Sequence, residues 1–193
     1  MRQFTFSLFI FLFVGCAAQT PPVPLLSGMT PTGAPVCFSD LTTIPSFFEW
    51  FHARRDLTTE EGKIDYLLDR VSRSNLIFIR NEVEFSSYAS AEFLRWKLNR
   101  LRQRHKVKIE TVEDFISEVV SGSRLSGEPY AVVVPGGGRH NMQNVLENEL
   151  DMLNQCLKEA EAKEEAAQVA AKEAAEEEFK EPKQAEQPAA ASS

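Results

Sequence analysis

The chain has 193 residues, with 21 Lys and Arg against 28 Asp and Glu, a net charge of -7 and a hydrophobic fraction of 43%. At roughly 100–200 residues per domain this is room for one modest domain and excludes a multidomain enzyme. Net acidity also argues against nucleic acid as a partner, because binding to a phosphate backbone draws on basic residues that release counterions. The charge is uneven: residues 157–193 carry a net -5, residues 57–156 only -2.

Met1 and Arg2 precede eleven mostly apolar residues, Phe4 to Val14, followed by Gly15-Cys16. As a helix this run spans about 16 Å, short of the roughly 30 Å hydrocarbon core, so residues 1–15 read as a signal peptide and not as a transmembrane helix. Phe13-Val14-Gly15-Cys16 resembles the bacterial lipobox, which implies diacylation of the Cys16 thiol and cleavage that makes Cys16 the new N-terminus. Phe13 stands where that pattern has Leu, and the alternative is a plain secretory signal cleaved near Ala17-Ala18. Several acyl chains on one residue anchor stably, at about 0.8 kcal/mol per buried methylene. Ala17 after Cys16 resembles lipoproteins sorted to the outer membrane. The expected location is therefore the cell envelope, lipid-anchored, facing the periplasm. Residues 16–43, with Pro21, Pro22, Pro24, Pro31 and Pro35, read as an extended tether.

Export makes cysteine pairing informative. With Cys16 carrying lipid, Cys37 and Cys156 remain; a disulfide between them would close a loop of about 120 residues and add about 4 kcal/mol in the chain-entropy picture. Two unpaired thiols are the alternative.

Residues 44–156 read as the folded domain. Ser46–Arg54, rich in Phe and Trp, reads as a short helix. Thr58 and Glu61 offer a capping box for a helix over 59–73 with Ile64, Leu67, Leu68 and Val71 on one face. Leu76–Arg80 and Val83–Ser87 are β-prone runs around Asn81-Glu82, a hairpin in which Gly at 82 would be the stronger turn signal. Ala89–Arg104 is helical with Leu94, Leu98 and Leu101 aligned. Thr111 caps a helix ending near Gly122, with Phe115, Ile116, Val119 and Val120 inward. Tyr130–Val134 is an apolar strand, and Asn141 caps the last core helix. The expected fold is α+β: a single small domain in which about four helices cover a small antiparallel sheet, a hairpin plus one further strand. Residues 157–193, almost all Ala, Glu, Lys and Gln, continue as a solvated helix that gives way to disorder after Pro182.

Three surface features carry candidate chemistry. The run Arg95, Lys97, Arg100, Arg102, Arg104, Lys106 and Lys108 contains no acid; it offers a basic patch for an anionic envelope component or an acidic protein partner, or is the solvated face of a helix. Gly136-Gly137-Gly138-Arg139 lacks the Lys-Ser/Thr of a phosphate loop and reads as a flexible strand-to-helix connection. Ser121, Ser123 and Ser126 have no nucleophile elbow and no base, and read as turn residues. No spacing suits a metal site, and no motif calls for a cofactor.

Tyr66-Leu67-Leu68 with Val71 and Ser74, Phe78-Ile79-Arg80-Asn81, Ala91 with Leu94-Arg95-x-Lys97, Glu113-Asp114-Phe115-Ile116, and Ser121-x-Ser123-x-x-Ser126-Gly127-x-Pro129-Tyr130 follow one another in order. Over roughly residues 60–153 they resemble the YfeK-like family of small exported bacterial domains of unknown function. The chain departs from that pattern at Glu82, where Gly is expected, at Phe93, where His is expected, and at Val145, where Trp is expected. The resemblance implies a shared polar site at Arg80, Asn81, Arg95, Lys97, Ser126 and Tyr130, and the loss of the His removes its acid/base candidate. The expected function is a non-catalytic envelope lipoprotein, a binding or scaffold module held to the membrane by Cys16. The alternative is a small periplasmic enzyme or ligand-binding domain acting on an anionic envelope component.

Overall fold

The structure is a computed structural model that describes residues 28–29, 35–36, 43–74, 76–133 and 138–180. The apolar run, Cys16 and Cys37 lie outside the described residues, so the lipid anchor and the Cys37–Cys156 pairing do too. In chain order the elements are β1 (Gly28–Met29), β2 (Pro35–Val36), α1 (Thr43–His52), α2 (Glu60–Arg73), β3 (Ile77–Arg80), β4 (Val83–Phe85), α3 (Ser87–Arg104), α4 (Val112–Phe115), a π-helical turn (Ile116–Val120), β5 (Ala131–Val133), β6 (Arg139–Asn141) and α5 (Met142–Lys180).

The expected α+β architecture is the one observed, with one strand more in the main sheet and a separate antiparallel pair, β1 with β2, inside the stretch expected to be an extended tether. An antiparallel sheet in the order β4-β3-β5-β6 aligns Phe78 with Phe85 on one side and Val132 on the other. Phe78 and Val132 are buried under the helices, while Ile77, on the opposite face, is 44% exposed. The stretch after β5 was expected to be a flexible connection; its end, Arg139–Asn141, instead pairs with β5 as the edge strand β6. Among the described residues every large buried hydrophobic lies between Ile44 and Cys156.

Local capping explains most element boundaries. The box expected from Thr58 and Glu61 gives way to a single cap one residue on: Thr59 is the N-cap of α2, its Oγ1 accepting from Gly62 N at 3.1 Å. The reason is Asp56, whose Oδ1 captures both the amide and the hydroxyl of Thr58 at 2.9 and 2.6 Å. Glu60 then reaches across to accept from Val112 N at 2.8 Å, so the start of α2 caps the start of α4. Thr111 and Asp114 form a complete capping box, as expected for the first of the two. Asn141 Oδ1 accepts from Gln143 N at 2.9 Å at the start of α5.

The hairpin turn takes φ of 50° at Asn81 and 59° at Glu82, the doubly left-handed geometry that matches strand twist. Asn tolerates this; a glutamate does so at a steric cost. Glu82 is held there by Arg139 of β6, whose two Nη atoms donate to its carboxylate at 3.2 and 2.8 Å. Arg139 also holds that carboxyl below its ordinary pKa through these hydrogen bonds.

Arg70 and Glu149, on α2 and α5, are 1% exposed and paired through Nε to Oε2 at 2.9 Å and Nη2 to Oε1 at 3.3 Å. The Phe47 ring of α1 lies 5.1 Å from the guanidinium, and Tyr66 packs edge-on against Phe47 and Phe51. Removing one partner strands a buried charge. Glu149→Leu alone is expected to cost about 3–5 kcal/mol, whereas Arg70→Met with Glu149→Leu recovers most of that; urea denaturation of the two variants checks it. A second expectation concerns the turn: in an Arg139→Ala background, where no ion pair is lost, Glu82→Gly raises the urea midpoint.

Candidate functional site

α3 carries Phe93, Trp96, Lys97 and Arg100 at positions i, i+3, i+4 and i+7, which places them along one stripe of the helix. Facing this stripe are the end of β3, at Arg80 and Asn81, and the loop that follows the π-helical turn. Between them runs an open groove of about 680 Å³. Its lining cations are Arg80, Lys97, Arg100 and Arg124, with His105 at one end; its apolar walls are Phe93, Trp96, Leu101, Leu125 and Tyr130. No carboxylate lines it.

The loop wall is rigid by construction. Ser123 N donates to Glu128 O and Gly127 N to Ser123 O, both at 2.8 Å, and Gly122 forms a bridge to Pro129. A Cβ at Gly122 would collide with the backbone oxygen of Glu128, and Gly127 has φ +74°, so both positions need glycine. Ser126 accepts from Glu128 N and donates to Asn81 Oδ1 at 3.1 Å, tying the loop to the hairpin turn. The serine-rich motif is thus turn chemistry, as read from the sequence, and it presents Arg124 and Leu125 at the tip.

Lys97 closes the base of this loop. Its Nζ donates to Val119 O at 2.7 Å and Gly122 O at 2.6 Å, carbonyls that the end of the helix leaves without partners, and lies 4.9 Å from the Tyr130 ring. Burial pushes its ammonium down to about 8, helped by the Arg124 charge and opposed by Glu118. A neutral amine retains two N–H groups, enough for both short bonds, so loss of the proton leaves the loop clasped. Burial likewise pushes the Tyr130 hydroxyl up.

Arg80 is stacked between two rings, its guanidinium carbon 3.8 Å from the Phe93 centroid and 4.4 Å from that of Phe85. The rings hold the guanidinium where it lines the groove, and its N–H groups meet no hydrogen-bond acceptor among the described residues. Phe93, at the position where the resemblance implies a histidine, is the platform for this arginine.

Of the six residues implied by the resemblance, Arg80, Asn81, Lys97 and Tyr130 line the groove and Ser126 braces it. Arg95 stands apart, paired with Glu92 at 2.7 Å. The basic patch is also divided. Lys97 is buried, Arg102 donates to Ile109 O and to Glu61, and Lys108 pairs with Glu110 at 2.8 Å. Arg100, Arg104 and Lys106 stay exposed without an ion pair among the described residues, Arg100 lying 5.2 Å from the Trp96 ring. Arg124 and Leu125 escaped the sequence reading because nothing local marks a loop tip as part of a wall. Lys97 had a signal: it falls on the Leu94-Leu98-Leu101 stripe.

Comparison with known proteins agrees with these motifs. The model of a family of unknown function, DUF5329, matches residues 58–154. The chain belongs to this family. "Uncharacterized protein YfeK" of Salmonella typhimurium is 35% identical over 72 residues, which cover 37% of this chain and 57% of that protein. The chain thus spans little more than half the length of that relative. No solved structure matches. The DUF5329 span contains every groove residue and stops before the acidic extension of α5. Among the described residues no group of three or more His, Cys, Asp or Glu is placed to hold a metal, and no helix is long and apolar enough to cross a membrane. Cys156 is buried and has no disulfide partner among the described residues.

The Lys97 assignment is testable through its titration. The unfolded chain keeps the Lys97 proton up to about pH 10.5 and the folded chain only to about 8. Stability therefore rises with pH across that window, and the cost of burying the ammonium is fully present below it. The Cε resonance of Lys97 should move with a midpoint near pH 8, and Lys97→Met should flatten the rise in stability between pH 8 and 10.5.

Proposed function

We propose that the protein is a non-catalytic cell-envelope lipoprotein, anchored through Cys16 to the outer membrane and facing the periplasm, whose DUF5329 domain binds an anionic envelope component. The observation that carries the binding half is the composition of the groove: four cationic side chains and aromatic walls with no carboxylate. Such a lining concentrates a positive field beside apolar surface, which suits a ligand with an anionic end and an apolar body. The stacked Arg80 supplies preorganised donors, since its planar group is already held in one orientation. The location rests on the lipobox and the tether.

Binding is favoured over turnover by what the polar residues already do. Ser123 and Ser126 are occupied in turn hydrogen bonds, and the Lys97 amine is engaged by two carbonyls. Phe93 puts a ring where an acid/base histidine would stand.

Dodecyl phosphate and the neutral dodecyl maltoside, both below their micelle concentrations, test this on residues 17–193, which contain every described element. Dodecyl phosphate should bind and shift the Trp96 emission in a Trp50→Phe background, while the maltoside should not. Arg100→Ala and Arg124→Ala should each weaken binding about tenfold, as for loss of a charge-assisted hydrogen bond. Equal binding of the neutral amphiphile, or full affinity in the double variant, would refute the assignment.

A further inference from the structure

The groove does not end in a rim of polar side chains. Leu125, at the tip of the braced loop, is 101% exposed, and Trp96, across from it on α3, is 53% exposed. A lone exposed leucine means little, but this one is held out by a loop with internal hydrogen bonds and two required glycines. The facing wall carries an exposed indole. Arg124 flanks Leu125 in sequence, Arg100 lies against the Trp96 ring, and Arg104 and Lys106 continue the exposed positive charge at the end of α3. Glu118, 3.6 Å from Arg124, is the acidic group that touches this surface; Glu92 is occupied by Arg95.

Protruding apolar residues inside a ring of cations match the layered chemistry of a leaflet that bears anionic headgroups. Phosphates lie at the level of the arginines, the interfacial zone favours indole, and acyl chains begin where a leucine tip would reach. We infer that this face docks on an anionic membrane surface, with Leu125 and Trp96 inserted at the headgroup boundary, a headgroup phosphate at the N–H edge of Arg80, and Arg100, Arg104, Lys106 and Arg124 against neighbouring headgroups. The inference rests on the groove reading given above and names its ligand as a headgroup in an assembled leaflet. In a chain anchored at Cys16, docking fixes which side of the domain faces the bilayer.

Vesicle binding of residues 17–193 decides it without help from the anchor. The protein should sediment with vesicles containing phosphatidylglycerol and not with phosphatidylcholine alone, and should be released by salt. With Trp50→Phe as background, the Trp96 emission should shift to the blue on those vesicles and be quenched by lipids brominated near the headgroup. Leu125→Asp and Arg100→Glu, both at exposed positions that leave the fold intact, should each lower vesicle affinity, Arg100→Glu by more than the about fivefold expected for one lost charge at an anionic surface. Sedimentation without a Trp96 shift, or undiminished in both variants, overturns the inference by showing that another face binds. Binding of monomeric dodecyl phosphate without binding to phosphatidylglycerol vesicles also overturns it while leaving the groove assignment standing. Failure of both removes the two together.

Discussion

A guanidinium shut away from water organises the helical layer. Arg70 can be buried only because Glu149 meets it through two hydrogen bonds, and that requirement fixes α5 against α2 in both rotation and height. Apolar packing alone tolerates a helix sliding by a fraction of a turn; a bidentate ion pair does not. Phe47, with its ring 5.1 Å from the guanidinium, brings α1 into the same arrangement, and Tyr66 completes it from α2. With α5 placed, its first residues set β6 beside β5, and the sheet is carried under the helices in a defined position.

The second buried cation follows the same electrostatic rule to a different end. Lys97 has no carboxylate within reach of a hydrogen bond among the described residues; it uses the peptide carbonyls Val119 O and Gly122 O. Carbonyl dipoles compensate a charge less fully than a carboxylate does, which is why burial wins and its pKa falls to about 8 while Arg70 stays charged. The structural return is a joint between α3 and the loop beyond the π-helical turn. Both walls of the groove are thereby positioned by one side chain, and the groove can remain open without being loose.

How much of this was legible in the sequence depended on how local its cause is. The helices over 60–73 and 87–104, the hairpin and the Thr111 cap depend on side-chain period and nearest hydroxyls, so they could be read directly. Thr58 was a less obvious failure: as a cap it was as good as Thr59, and a neighbour, Asp56, took it out of play. β6 left no trace, since Arg139-His140-Asn141 has none of the branched or aromatic residues that mark strands and pairs through backbone alone. The basic run was misread as a single surface because charge was counted along the chain and not around the helix. Lys97 and Glu149 both lie on apolar stripes, Leu94-Leu98-Leu101 and Leu146-Leu150-Leu153, and that position is what separates a buried charge from a solvated one. Glu82 shows the converse: the expected glycine was right about the backbone, which is left-handed there, and the glutamate persists through a partner 57 residues away.

The acidic end of the chain contributes no residue to the groove lining. α5 runs for 39 residues, but its buried stripe ends at Cys156 and every described residue from 161 to 176 is exposed. The extension is helical because propagation onto a packed helix avoids the cost of nucleation, and because Ala, Glu, Lys and Gln have high intrinsic propensity. Pairs such as Gln155 with Glu159, at 3.1 Å, add a little. Twenty residues of helix spread this charge over about 30 Å of axis, several times the roughly 8 Å over which exposed charges act at physiological salt. A chain with a net charge of -7 can therefore present a cationic groove, because its acidity is concentrated on one solvated helix that contributes no residue to the groove lining.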